Sequence, residues 1–223
     1  MQRILEAYVG EYASGKSENA VNRSLQLIKK GRKVRLVDLD VVEPFYTLRP
    51  LKKILEQMGI DVLAWETAET IGLGEAAIPL KKETIRALEF DGDLIFDLGY
   101  GIDGCNILKI IKDSSGEEKE EKIKIIMVVN ITRPLTSSVP LILKMVNEFE
   151  EVDGLINNTH LGEETTIELI QKGAIMVTEV AKKLSLPVVA TTALRDLASR
   201  IGEFDVMGNK VWPIDRYMSK AIW

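Results

Sequence analysis

One segment near the start of the chain has the residue types and spacing of a phosphate-binding loop. Residues 10–17 fit the pattern G-x-x-x-x-G-K-[ST] at every fixed position, and an apolar run precedes them. Glycines let such a loop curl until successive backbone N–H groups point at a polyphosphate, and the helix that follows adds the positive end of its dipole. In this pattern Lys16 reaches the β- and γ-phosphates, and the Ser17 hydroxyl is a ligand of Mg²⁺. The residues predicted to contact the nucleotide here are Gly10, Glu11, Tyr12, Ala13, Ser14, Gly15, Lys16, Ser17 and Glu18.

Two further segments end in acids where a bound nucleotide would hold its metal. Residues 94–99 read Leu-Ile-Phe-Asp-Leu-Gly, a hydrophobic strand followed by an acid and a glycine, which is the pattern of a Walker B segment. Asp97 is therefore predicted to hold magnesium, directly or through water. Asp38 and Asp40 end another apolar run, and residues two apart project to the same side of an extended chain. We predict that both approach the metal and the attacking water.

Alternating strands and helices are predicted to position these residues. The predicted strands are Ile4–Val9, Val34–Asp38, Val62–Trp65, Leu94–Asp97, Ile123–Val129, Leu155–Asn157 and Val188–Thr191. They are short and rich in Val, Ile and Leu with little alternation, which is typical of strands covered on both faces. Between them, apolar residues recur with a helical period over residues 20–28, 139–149 and 167–184. This alternation predicts one α/β domain over residues 1–223, a mostly parallel sheet with helices on both faces. Residues 206–211 are predicted to form a small hairpin that closes the sheet.

Composition and charge exclude several classes of protein. The 223 residues are 46% hydrophobic and 28% charged, as in a globular chain, and the single cysteine excludes a disulfide framework and a thiolate-rich metal site. A net charge of −5 argues against a dedicated nucleic-acid binder. The start of the chain has no long apolar run and no signal-peptide layout, so we expect a soluble, cytoplasmic protein without a membrane segment.

Five segments between about residue 4 and about residue 195 resemble those of one family. They read GEYASGKSENA, RLVDLDVVEP, DLIFDLGYGIDG, GLINNTHLG and LPVVATTAL. With them the chain is similar to the MinD/ParA/CobQ group of P-loop proteins, within the SIMIBI class of nucleotide-dependent switches. The resemblance implies a three-layer fold with a seven-stranded, mainly parallel sheet, and ATP with Mg²⁺ as cofactors. It also implies, as in many members, a homodimer formed across the nucleotide.

The resemblance assigns a role to individual residues. Lys16 matches the phosphate-binding lysine, and Ser17 matches the magnesium ligand. Asp38 and Asp97 match acids that hold magnesium through water. Asp40 matches the switch acid that positions the hydrolytic water, so Lys16 and Asp40 are the predicted catalytic residues.

The resemblance also suggests how the base is read. Asn158 falls where the family places an asparagine on adenine, and an amide offers the base edge both a donor and an acceptor. Its neighbour Asn157 is the alternative reader. The chain has no N-K-x-D sequence, so guanine selection lacks its usual acid and ATP is favoured. One position departs from the MinD and ParA members: Glu11 stands where they have a signature lysine that contacts the partner subunit's nucleotide. We expect the Glu11 side chain to face away from the phosphates.

Three functions fit these residues. The preferred one is an ATPase switch that binds Mg-ATP, orders its acidic loops around the γ-phosphate and relaxes on slow hydrolysis, so that a protein partner reads its state. The second is a biosynthetic enzyme, similar to CobQ or dethiobiotin synthetase, that uses ATP to activate a small carboxylate or to phosphorylate a small molecule. It predicts a second pocket beside the γ-phosphate, lined by Trp65, Glu66 and Arg133. The third is a nucleotide-binding module without turnover, which is opposed by the intact residues Lys16, Ser17, Asp40 and Asp97.

Overall fold

The computed structural model describes residues 2–40, 48–64, 82–99, 102–114, 122–149 and 151–218, without the side chains of residues 102–105 and 114. The strands are β1 Leu5–Val9, β2 Val34–Leu39, β3 Asp61–Leu63, β4 Asp93–Leu98, β5 Lys124–Val129, β6 Gly154–Asn157, β7 Val188–Leu194 and β8 Val211–Ile214. The helices are α1 Lys16–Lys29, α2 Lys52–Gln57, α3 Lys82–Ile85, α4 Ile102–Ser114, α5 Val139–Glu148, α6 Ile167–Leu184 and α7 Arg195–Ile201. Short 3₁₀ turns lie at Arg49–Leu51, Ala87–Glu89 and Pro134–Thr136.

The strands form one parallel sheet in the order β3-β2-β4-β1-β5-β6-β7-β8. Every residue of β1 and β4 is buried, which confirms that the central strands are covered on both faces. Because successive side chains point to opposite faces, β4 serves two cores: Phe96 packs in one and Ile95 in the other. One core includes residues of α4, α5 and α6, and the other includes residues of α1 and α2. The predicted three-layer α/β fold is confirmed.

The sheet has one strand more than the seven expected. Near the predicted hairpin, an antiparallel bridge joins Phe204 to Lys210 across a turn. The strand β8 begins at the next residue, Val211. That strand pairs parallel to β7, with Thr191 opposite Val211. The presence of Pro213 makes this strand hard to predict from the sequence, because proline disrupts the hydrogen bonding of a central strand. β8 lies at the edge of the sheet, where proline is tolerated.

All these strands run in one direction, so their carboxyl ends meet at one edge of the sheet. The loop after β1, the acids that end β2 and β4, and the residues after β6 and β7 therefore lie at the same edge. This is the arrangement that the sequence motifs require. Within the part of the chain that the structure describes, none of the helices has the length and apolar composition that spanning a bilayer requires.

Candidate nucleotide-binding site

The loop between β1 and α1 has the backbone shape of a phosphate cradle. Gly10, Ala13 and Gly15 have positive φ angles of 148°, 54° and 91°. A Cβ atom on Gly10 would lie 2.4 Å from the Val128 carbonyl oxygen, and one on Gly15 would lie 2.1 Å from Asn158 Nδ2. Both positions therefore require glycine, for conformation and for space. The curl closes with a 3.1 Å hydrogen bond from the Ser14 N–H to the Glu11 carbonyl.

The positive groups of this loop face its interior. Lys16 is only 6% exposed, and its Nζ donates a 3.2 Å hydrogen bond to the Glu11 carbonyl, so the ammonium group folds back over the loop. Helix α1 begins at Lys16 with Gly15 as its N-cap, and glycine has no side chain to bond the first N–H groups of the helix. Those N–H groups, the helix dipole and Lys16 together favour an anion at this point.

Two buried acids stand beside the cradle. Asp38 and Asp97 are register partners on the neighbouring strands β2 and β4, and Asp97 is fully buried. Burial and the negative charge of Asp38 raise the pKa of Asp97 well above its usual value, and the Ser17 hydroxyl lowers it in part. Neither carboxylate oxygen of Asp97 has a hydrogen-bond partner of normal geometry among the described residues. A buried carboxylate in this state is suited to a cation.

Magnesium fits this set of residues. Ser17, Asp38 and Asp97 offer the oxygen ligands that Mg²⁺ prefers. Among the described residues, no group of three or more His, Cys, Asp or Glu side chains could hold a metal alone. Mg²⁺ usually keeps several waters and is held by one or two carboxylates together with substrate phosphates, so this sparse set is what a shared metal needs.

Asp40 is tied to both neighbouring parts of the site. Its N–H donates to Asp38 Oδ1 at 3.1 Å, and its carbonyl accepts a 3.2 Å hydrogen bond from Arg49. A Cβ atom on Gly99 would lie 3.0 Å from Asp40 Oδ1, so the carboxylate rests against the backbone that follows β4. Asp40 and Lys16 line the same cleft, and a role for Asp40 in positioning the attacking water stays a prediction.

Sequence reasoning missed Arg49. Its guanidinium is buried, and Nε lies 3.8 Å from Asp38 Oδ2. It thus places a positive charge beside the predicted metal ligands and connects them to the 3₁₀ turn that leads into α2. The only signal in the sequence is an arginine next to Pro50, within ten residues of an acidic strand end, and that signal does not specify a partner.

The Glu11 side chain faces away from the cradle, as expected. It is 4% exposed, and its two carboxylate oxygens accept hydrogen bonds from the Leu135 N–H at 3.0 Å and the Thr136 hydroxyl at 2.9 Å. Only the Glu11 carbonyl faces Lys16. Glu11 is therefore a buried acid that links the phosphate loop to the segment after β5.

Asn158 reaches the cradle, but its amide has protein partners. Nδ2 donates to the Ser14 carbonyl at 2.7 Å, and Oδ1 accepts from the Thr192 hydroxyl at 2.7 Å. Asn158 therefore ties the phosphate loop to β7, and an adenine contact by its remaining amide hydrogen stays a prediction. The alternative prediction, that Asn157 reads the base, is wrong. Asn157 is fully buried, and its side-chain amide is hydrogen-bonded to Ile170, Thr191 and Thr159.

Beyond the phosphate cradle the cleft continues as a largely apolar pocket. The cleft opens to solvent. The apolar side chains that line this end come from α6, β7, α7, β8 and the segment after β8: Ile170, Ala193, Leu194, Leu197, Ile214 and Met218. An aromatic base suits such a wall. Of the three residues proposed for a second pocket, Arg133 follows β5, whereas Trp65 and Glu66 lie outside the described residues.

His160 lines this pocket, and its burial predicts that the free energy of unfolding depends on pH. Burial, helped by the positive charges of Arg133 and Arg216, lowers its pKa to about 4, against about 6.5 when unfolded. The unfolded chain therefore binds more protons between these pH values, and the free energy of unfolding falls as pH drops from 6.5 towards 4. We expect a loss of up to about 3 kcal/mol, measured by urea unfolding across this range.

The chain offers a clean control for this prediction, because His160 is its only histidine. His160→Gln should flatten the pH profile between 4 and 6.5 relative to the wild-type profile. Parallel profiles for the two proteins would contradict the assignment.

Comparison with known proteins agrees with the architecture. No protein-family model matches the sequence, and no curated protein matches it either. Among solved structures, the cell division protein FtsY from Thermotoga maritima superimposes with a TM-score of 0.60 at 15% identity, over 86% of this chain and 62% of that one. FlhF complexed with GTP and Mg²⁺ gives 0.54 at 16% identity, over 86% and 66%. This chain has the P-loop NTPase fold. A nucleotide-binding protein from Archaeoglobus fulgidus in complex with ADP gives 0.50 at 18% identity, over 87% and 84%. The chain thus spans less than two thirds of the length of the FtsY and FlhF chains.

Proposed function

We propose that this protein binds Mg-ATP and hydrolyses it slowly, as a nucleotide-dependent switch of the MinD/ParA/CobQ-like type whose state a protein partner reads. One observation carries the proposal. The curled loop with its inward-facing Lys16 and the buried pair Asp38 and Asp97 lie at the same edge of the sheet. The loop favours an anion and the buried acids favour a cation, and Mg-ATP would supply both.

The residues divide the work between binding and positioning. The loop N–H groups and Lys16 would hold the β- and γ-phosphates. Ser17, Asp38 and Asp97 would hold Mg²⁺, directly or through water, and the metal would neutralise charge that develops on the phosphates. Asp40 lines the cleft beside these groups and would orient the attacking water.

The same contacts explain how the nucleotide state would reach the surface. Asp38 accepts from the Asp40 N–H, faces Arg49 and lies in register with Asp97. A metal bound at Asp38 would compete with Arg49 for that carboxylate. Because Arg49 also bonds the Asp40 carbonyl and leads into α2, loss of the γ-phosphate would change the position of this exposed helix. We propose that the partner contacts this region.

The choice of ATP rests on the segment after β6. It reads Asn158-Thr159-His160-Leu161, so an exposed leucine stands where an N-K-x-D sequence has its guanine-binding acid. Since solved structures of this fold carry ADP in one case and GTP with Mg²⁺ in another, both nucleotides belong in the test.

The test is Mg²⁺-dependent binding and turnover of ATP and GTP by the purified protein, by calorimetry and phosphate release. Lys16→Ala should weaken ATP about ten- to hundredfold, the effect of losing a charged hydrogen bond to phosphate. Asp40→Ala should abolish turnover and leave ATP affinity within about threefold of wild type. The exposed Lys29 and Asp196 supply matched controls, Lys29→Ala and Asp196→Ala, which should change neither quantity.

Three results would count against the proposal. If neither nucleotide binds, the assignment of the cleft is wrong. If GTP binds more tightly than ATP, the base assignment is wrong. If ATP binds tightly and no phosphate is released, the chain is a binding module or an enzyme that waits for its small-molecule substrate.

A further inference from the structure

The segment that follows β8 is fastened to the first helix of the nucleotide site. Asn22 on α1 bonds both backbone groups of Asp215: its Nδ2 donates to the Asp215 carbonyl and its Oδ1 accepts from the Asp215 N–H, each at 2.8 Å. One turn earlier on α1, the Glu18 carboxylate accepts from the N–H groups of Tyr217 and Met218, at 2.5 and 3.1 Å. Two side chains of α1 therefore hold four backbone groups of residues 215–218, which we call the strap.

Several independent contacts hold the strap in place. Burial raises the pKa of Glu18, and the N–H groups of Tyr217 and Met218 lower it in part, so the strap offsets the cost of burying this acid. The Tyr217 ring packs against the core between α1 and the sheet. Asp215 also bonds Arg195, through two hydrogen bonds of 2.5 and 2.6 Å. A segment held from three directions has a defined position beside the cleft.

The strap forms one wall of the nucleotide cleft. Arg216 and Met218 both line the cleft that Lys16 and Ser17 also line, and Met218 is one of the apolar side chains at its base end. The positive charge of Arg216 contributes to lowering the pKa of both Glu18 and His160. Arg216 lines the same cleft as Glu18 of α1 and His160 of the loop after β6. A planar cation can stack on an aromatic base, and a methionine can pack on its edge.

We propose that the strap closes the base end of the nucleotide site, so that base binding and docking of residues 215–218 on α1 stabilise each other. The inference rests on the proposed function, since it takes the ligand to be a purine nucleotide. It gives Glu18 a role that differs from phosphate binding: Glu18 is a positioning residue that holds Arg216 and Met218 against the base. Occupancy of the cleft would thereby be reported at the surface through the strap.

The decisive comparison is between ATP and inorganic tripolyphosphate, each with Mg²⁺, because tripolyphosphate fills the cradle and has no base. Glu18→Ala and Arg216→Ala should each weaken ATP about tenfold and leave tripolyphosphate binding no weaker than in wild type. Lys16→Ala should weaken both ligands. Arg200→Ala, an exposed arginine on α7, is the control for loss of positive charge and should change neither.

Hydrogen exchange supplies a readout that does not depend on the variants. In wild-type protein, ATP should slow exchange of the Tyr217 and Met218 amides at least about tenfold, whereas tripolyphosphate should not. Equal weakening of ATP and tripolyphosphate by the strap variants would overturn the inference, as would wild-type ATP affinity in both variants. Those results leave the proposed function intact. If wild-type protein binds neither ligand, the proposed function and the inference both fall.

Discussion

Asp97→Asn is expected to stabilise the nucleotide-free protein and to disable its metal site. Asp97 is fully buried, and burial and the charge of Asp38 raise its pKa well above the usual value, so the ionised form is disfavoured in the folded state. Asparagine removes that charge at nearly constant volume. We expect the free energy of unfolding at pH 7 to rise by about 1–2 kcal/mol. Loss of a direct or water-mediated ligand should weaken Mg²⁺-dependent ATP binding by at least about 100-fold, more than typical changes outside the coordination sphere.

Asp93 gives the matched control for this change on the same strand. It is also buried, and although burial raises its pKa, the bonds from Arg32 and the Ile4 N–H bring the pKa below the usual value. Asp93→Asn should therefore lower stability and leave Mg²⁺ dependence unchanged. Urea unfolding without nucleotide and calorimetry of ATP at varied Mg²⁺ measure the two effects. A destabilised Asp97→Asn with normal Mg²⁺ dependence would show that Asp97 has a structural role only.

The parts of this site that the sequence predicted are those encoded locally. The phosphate loop needs two glycines, a lysine and a hydroxyl within eight residues, and a strand before it. The whole pattern can therefore be recognised from one short stretch of sequence. Asp38 and Asp97 could be placed together because each ends a buried strand, and parallel strands end at one edge.

Other parts depend on contacts that no short pattern encodes. Glu18 bonds residues about 200 positions away, and Asn158 bonds Ser14, which is 144 positions away. An acid after the loop lysine and an asparagine after β6 both suggest nucleotide contacts from their types alone. In the structure their side chains instead bond backbone groups: Glu18 bonds the strap, and Asn158 bonds the phosphate loop. The tertiary fold brings these backbone groups within hydrogen-bond distance. Arg49 lies only nine positions from Asp40, but an arginine in a loop after a strand does not specify its partner, so it was missed as well.

Glu11 bears on the proposed function most directly, since the sequence resemblance places it at the position of the signature lysine of the MinD and ParA members. We expect Glu11→Lys to lower the free energy of unfolding by about 3–5 kcal/mol. The substitution would place an ammonium group in a site that is 4% exposed, facing two donors, the Leu135 N–H and the Thr136 hydroxyl. It would also leave the Leu135 N–H without an acceptor, whereas the Thr136 hydroxyl could still donate to the Asn130 carbonyl, 2.7 Å away. Because the side chain points away from the cradle, the lysine should produce no gain in ATP turnover at any protein concentration.

Two milder variants separate the charge from the hydrogen bonds. Glu11→Gln retains one acceptor and should cost about 1–2 kcal/mol, and Thr136→Val removes one donor. A double-mutant cycle between positions 11 and 136 should give a coupling energy of about 1 kcal/mol or more. Turnover measured across a range of protein concentrations completes the test. A Glu11→Lys variant that is as stable as wild type and hydrolyses ATP faster as its concentration rises would show that this position faces a second subunit's nucleotide after all. The buried fastening through Leu135 and Thr136 would then not be the arrangement that governs activity.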